Sequence, residues 1–166
     1  QTAGLAFGGY IGPTTAVTEE YDGTSWSEQN DLNTRGYDMG SCGTQTAGLG
    51  FGGYDDRASL TEEYNGSSWT ETGNLNVGRK TLSGAGTQTA AVGFGGRGAP
   101  ATNLTEEYNG SSWTASNNMN VGRMGLAGSG TQTAAIAMGG GPSSESNVAT
   151  ELYDGTSWTI SARTAV

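Results

Sequence analysis

The chain has 166 residues, of which 33% are hydrophobic, 30 are glycine and three are proline. That is long enough for one domain with a core, but the core must be built from many small residues in close-packed layers. The proline count excludes collagen, and the frequent glycine, Ser and Thr exclude long helices, which leaves an all-β chain. A net charge of −9 and a pI near 4.2, with seven scattered basic residues, exclude nucleic acid and anionic membrane surfaces as partners. No apolar run approaches the roughly 20 residues that a membrane span needs.

The chain is a repeat. Gln1, Gln45, Gln88 and Gln132 fall in register, as do Trp26, Trp69, Trp113 and Trp158, at spacings of 43 to 45 residues, a period typical of propeller arrays. The chain starts at Gln1, inside a repeat and without a Met, as expected for a processed precursor or a segment of a longer protein.

Each unit opens on a stretch like "TQTAAVGFGG" (87–96), read as a strand with Gln88, Ala90, Val92 and Phe94 on one face and a nearly bare second face. Paired glycines at 8-9, 52-53, 95-96 and 139-140 end these strands. Variable segments follow: "YIGPTTA" (10–16), "YDDRAS" (54–59), "RGAPAT" (97–102) and "GPSSESN" (141–147). The next strand, as in "NLTEEYNGSSWT", places Leu104, Glu106 and Tyr108 on one face. Asp-Gly at 22-23 and 154-155, and Asn-Gly at 65-66 and 109-110, predict tight type I′ hairpins into a strand carrying the Trp. Polar connectors ("EQNDLN", "ETGNLN", "ASNNMN") then lead to the first strand of the following unit.

The order Arg, glycine doublet, Glu-x-Tyr, then Trp, recurring over nearly the whole chain, resembles the kelch repeat. The resemblance implies a four-bladed β-propeller of four-stranded antiparallel blades, with Tyr21, Tyr64, Tyr108, Tyr153 and the four tryptophans packed between blades. The repeats divide as 1–32 (with 161–166 as a possible complement), 33–75, 76–119 and 120–160. Arg35, Arg79 and Arg123 follow their Trp by nine or ten residues but Arg163 by five, so the innermost strand of the first blade is missing. Either "SARTAV" (161–166) closes the ring, which avoiding an unpaired edge favours, or closure needs further residues or chains.

Catalytic readings fare poorly. There is no histidine to serve as base or metal ligand. Adjacent glutamates such as Glu62-Glu63 point to opposite sheet faces and cannot converge on one bond or ion. Glu19, Glu62, Glu106 and Glu151 are instead expected to pair with Arg35, Arg79 or Arg123 in a partly buried setting, with the second glutamates solvated. Cys42 reads as a small buried residue of an inner strand, with nothing to activate it, and it leaves the redox compartment open. Kelch repeats also occur in copper oxidases of the galactose-oxidase type, but that chemistry needs histidines. The sequons at Asn65, Asn103 and Asn109 are glycosylation sites only where the compartment allows it.

Function is therefore expected in the variable loops and blade connectors, which should share one face: Tyr10, Asn30, Asn33, Tyr54, Asp55, Asp56, Arg57, Asn74, Asn76, Arg97, Asn118 and Asn120. The expectation is a non-enzymatic module without cofactor or metal, binding a glycan or a protein surface. A monomeric ring or homo-oligomer is expected. Similarity to repeats of phage and environmental bacterial surface proteins implies an extracellular, cell-surface or virion location. The alternative is an assembly unit whose blades are completed between chains.

Overall fold

A computed structural model describes residues 2–98, 101–142 and 149–163, excepting the side chains of Asp55, Ala162 and Arg163. Gln1, residues 99–100 and 143–148 of two variable segments, and residues 164–166 of "SARTAV" lie outside the described residues.

The expected all-β, four-bladed architecture is present. The first sheet has three strands, β1 (Gly4–Tyr10), β2 (Thr14–Tyr21) and β3 (Trp26–Gln29). The second has four, β4 (Gly40–Thr44), β5 (Ala47–Phe51), β6 (Thr61–Tyr64) and β7 (Trp69–Glu71). The third comprises β8 (Ser83–Thr87), β9 (Ala90–Phe94), β10 (Thr105–Tyr108) and β11 (Trp113–Ser116). The fourth comprises β12 (Ala127–Thr131), β13 (Ala134–Met138), β14 (Ala149–Tyr153) and β15 (Trp158–Arg163). All pairings are antiparallel between sequence neighbours. The inner strands β4, β8 and β12 pack side by side. Among the described residues the first sheet has no corresponding strand, and residues 161–163 extend the outer strand β15 of the fourth blade.

Two local readings are corrected. Gln88 sits in the turn between β8 and β9, not in the strand, and the strand proper begins at Ala90. From there its amide reaches back to the carbonyls of Gly48 and Tyr64 in the preceding blade. Gln45 and Gln132 do the same toward Tyr21, and toward Ala91 and Tyr108. The hairpins are not type I′, because only the glycine of each Asn-Gly or Asp-Gly has positive φ. They are four-residue loops in which the side chain of Asn65 accepts hydrogen bonds from the amides of Ser67 and Ser68, an Asx motif added to the backbone bond from the Asn65 N–H to the Ser68 carbonyl.

Blades are joined by a repeated set of contacts. Phe7, Phe51 and Phe94 pack on Trp69, Trp113 and Trp158 of the following blade at ring-centroid distances of 4.7, 4.8 and 4.9 Å. Each of those indoles donates to a Thr hydroxyl of the preceding blade, Thr18, Thr61 or Thr105, at 2.9 to 3.0 Å. The bare strand faces make room for the rings: a methyl at Gly40 or Gly84 would lie 2.5 Å from Phe51, and one at Gly93 2.9 Å from it. Three apolar clusters result, one between each successive pair of blades. The structural role expected of the aromatics holds at these junctions, where Tyr64, Tyr108 and Tyr153 are buried with the three tryptophans. It does not extend to Trp26, which is 52% exposed with Tyr21 half-buried beside it. Its flank has no blade packed against it among the described residues.

Candidate functional site

The arginines show first what is scaffold. Arg79 pairs with Glu106 at 2.7 Å and Arg123 with Glu151 at 2.9 Å, all buried, as expected. Each guanidinium also donates to backbone carbonyls, those of Val77, Gly95 and Leu104 for Arg79 and of Gly139 and Ala149 for Arg123. The second blade departs from expectation. Arg35 is exposed, and Glu62 pairs instead with fully buried Arg57, a residue expected on the binding face. Aligning the repeats explains the exchange. The position of Arg79 and Arg123 is Gly36 here, with Arg35 displaced by one residue. A methyl on Gly36 would lie 2.2 Å from Arg57 Cδ. Arg57, in the short 3-10 turn Asp55–Arg57, thus fills the volume that its absent counterpart would occupy, and donates also to the Thr34 and Gly52 carbonyls. Glu19, the first-blade equivalent, is exposed and has no arginine partner among the described residues.

Several asparagines expected at the site are likewise scaffold. Asn33, Asn76 and Asn120 each give their backbone N–H and side-chain amide to the buried glutamate of the blade, and the same amide to the Trp carbonyl. Asn30 donates to Ser67 in the next blade, and Asn118 accepts from the Thr105 amide. Asn74 is exposed, with no bond described. The second glutamates are not simply solvated: Glu20, Glu63 and Glu107 accept the hydroxyls of Tyr64, Tyr108 and Tyr153 from the following blade. Burial, reinforced by those carboxylates, pushes each of the three phenols up to about 12. Cys42 is half-buried on β4, and burial pushes its thiol up to about 12, so it is no nucleophile at neutral pH.

What remains on the loop face is a row of side chains at two positions of each repeat. One follows the glycine doublet (Tyr10, Tyr54, Arg97, Gly141) and the other follows the repeat's arginine position (Tyr37, Lys80, Met124). Backbone hydrogen bonds bring the two together in the second, third and fourth blades: Tyr54 N–H to the Tyr37 carbonyl, a reciprocal pair between Lys80 and Arg97, and another between Met124 and Gly141. Tyr10, Tyr37 and Tyr54 form a ladder with centroid spacings of 5.3 and 4.7 Å, and the Lys80 ammonium caps it 3.1 Å from the Tyr54 ring centre. Asp56 lies beside it, lining a hollow of about 100 Å³ with Arg35 and Tyr54. Sequence reasoning found Tyr10, Tyr54 and Arg97 but missed Tyr37 and Lys80. The signal was available in register: both occupy the place just after the repeat's arginine position, where the preceding residues hardly vary.

No protein-family model and no curated protein matches this chain. Among the described residues no helix is long and apolar enough to cross a membrane.

Proposed function

We propose that this chain is a non-enzymatic binding module of kelch-like type, which recognises a glycan or a protein surface through its loop face, outside the cell or on a virion. The observation that carries the reading is the paired position just described. The framework around it repeats from blade to blade, whereas its own occupants change from two tyrosines to Lys and Arg to Met and Gly. Constant scaffold with divergent chemistry at one exposed place is what a recognition surface requires. The buried carboxylates are engaged with arginines, which leaves little acid-base equipment for catalysis. The test is to display the chain and its Tyr37→Ala/Tyr54→Ala variant to an array of glycans and surface proteins. Retention of a ligand by the parent and loss by a variant that melts normally supports the reading; no retention by the parent, or equal retention by both, refutes it.

A second reading, assembly with blades completed between chains, is favoured by one observation. Trp26 (52% exposed) on the first blade, and Met138 (38%) and Leu152 (44%) on the fourth, occupy positions whose counterparts form the internal junctions. Beside them, a hollow of about 240 Å³ lined by Leu5, Phe7 and Cys42 lies where the first blade's inner strand would run. Light scattering across a wide concentration range separates the two. A fixed mass near 16.9 kDa argues against assembly, and a mass that grows with concentration argues for it.

A further inference from the structure

The chain carries seven basic residues against sixteen acidic ones, and Arg57, Arg79 and Arg123 are consumed inside the blades. The remaining basic side chains that the structure describes, Arg35, Lys80 and Arg97, all border the tyrosine ladder. Arg35 shares its hollow with Asp56. Lys80 and Arg97 share a different one: an open groove of about 400 Å³ floored by Gly53, Tyr54, Gly78 and Gly98, with no carboxylate among its described lining residues. Arg79 also lines it but is neutralised by Glu106, so in this acidic protein Lys80 and Arg97 leave the groove with two cations that no ion pair among the described residues offsets.

The two cations are also held together. Lys80 and Arg97 face each other across an antiparallel bridge, with amide to carbonyl distances of 3.1 and 2.7 Å in the two directions, so their side chains leave the same side. Like charges directly opposite are destabilising, and neither side chain has an ion-pair or hydrogen-bond partner among the described residues. The residue after Lys80 adds a second cost. Thr81 has φ +52, a region that β-branched residues rarely enter, while the next repeat has Gly125 there. Its hydroxyl bonds the Lys80 carbonyl at 2.6 Å, fixing the backbone from which the ammonium projects.

We propose that this groove binds an acidic oligosaccharide, a deepening of the binding-module reading on which it rests. A uronate carboxylate sits between the Lys80 ammonium and the Arg97 guanidinium, where it relieves their repulsion. The sugar chain continues along the ladder toward Tyr10, which is 64% exposed and offers its outer ring face to pyranose C–H groups. Tyr54 does not stack on sugar, because Tyr37 and Lys80 cover its two faces; it orients the ammonium.

The experiment is an NMR titration of the isotope-labelled 166-residue chain with an α-1,4-linked galacturonic acid trimer, its neutral methyl ester, and sodium sulfate. The acid is expected to shift the amides of Tyr54, Lys80 and Arg97 saturably. Affinity should fall about tenfold or more with the ester and with Lys80→Met/Arg97→Met, severalfold with Tyr10→Ala, and progressively with added salt. Tryptophan-monitored melting confirms that these surface variants fold. Absence of shifts with the acid, equal binding of acid and ester, or an unweakened Lys80→Met/Arg97→Met variant overturns the anion site. The same shifts with sulfate at equal concentration overturn the assignment to sugar. The binding-module reading stands apart from all of these outcomes, because it is decided by array retention with the Tyr37→Ala/Tyr54→Ala variant.

Discussion

The exchange of arginines in the second blade makes a sharp prediction. Arg57 is fully buried, bonds Glu62 and reaches the carbonyls of Thr34 and Gly52, while its Nη2 has no hydrogen-bond partner among the described residues. Replacing it with Ala leaves Glu62 buried beside a cavity, which for a broken buried pair costs about 3–5 kcal/mol, or a Tm lower by roughly 6–20 °C in a chain of this size. Gly36→Arg alone also destabilises, since even a Cβ there meets Arg57 at 2.2 Å and a second guanidinium enters the same space. The double variant Gly36→Arg/Arg57→Ala should recover to within about 1 kcal/mol of the parent, because it recreates the third blade's arrangement, in which Arg79 Nη2 does bond its glutamate. Backbone bonding at the two positions already matches: Gly9 donates to the Gly36 carbonyl as Gly53 does to that of Arg79. Urea unfolding of the four proteins gives the coupling energy directly. A double variant no more stable than Arg57→Ala would refute the equivalence of the two arginine routes.

Other consequences are open to simpler measurements. Thr81→Gly should raise stability by about 1 kcal/mol, the strain relieved outweighing the added chain entropy; a lower Tm would contradict it. Trp113→Ala should cost about 3–5 kcal/mol and Trp26→Ala less than about 1, because only the former fills a junction. Tyr64, Tyr108 and Tyr153 have folded pKa values near 12, raised from 10. Their contribution to stability is therefore complete below pH 10 and is lost as pH rises through 12. Ring signals of these three, resolved by NMR of labelled tyrosine, should show ionisation only together with unfolding in that window, and their ionisation near 10 in a folded protein would count against it. Asp22, lowered from 3.8 to about 2 by the amides of Ser25 and Thr24, holds its turn above pH 4 and releases it as pH falls through 2. Protection of the Thr24 and Ser25 amides, taken relative to their intrinsic exchange rates at each pH, should fall there, while that of the Asn65 loop, which has nothing to titrate, should hold.

Period, glycine doublets and the Glu-x-Tyr and Trp positions made the blade architecture legible, because each is a local signal repeated four times. The first blade's want of an inner strand among the described residues is in keeping with the spacing of Trp158 and Arg163. What local pattern could not give was pairing between blades. Glu20, Glu63 and Glu107 looked solvated because their partners, the tyrosine hydroxyls, come from the following repeat. Arg35 looked like the partner of Glu62 because a one-residue shift from "GR" to "RG" keeps composition while removing the side chain from its slot. Arg57 looked like a loop cation for the same reason, as burial depends on the space opposite Gly36 rather than on its own neighbours. At the candidate site, the tyrosines following glycine doublets stood out, but Tyr37 and Lys80 join them only through bonds between loops far apart in sequence.

The junctions described here are all made between immediate neighbours and from the same parts: a ring on an indole, an indole to a hydroxyl, a phenol to a carboxylate, a glutamine amide to a carbonyl. A gene segment encoding the second or third repeat could therefore be copied, deleted or exchanged without inventing a new interface, since each of these blades presents on both flanks what its neighbours need. The paired position travels inside that segment. Duplicating the third repeat would copy Lys80 and Arg97 with their groove edge, and losing the second would remove Tyr37 and Tyr54. In such a molecule, recombination between repeats changes what is recognised, and how many times, at little cost to folding.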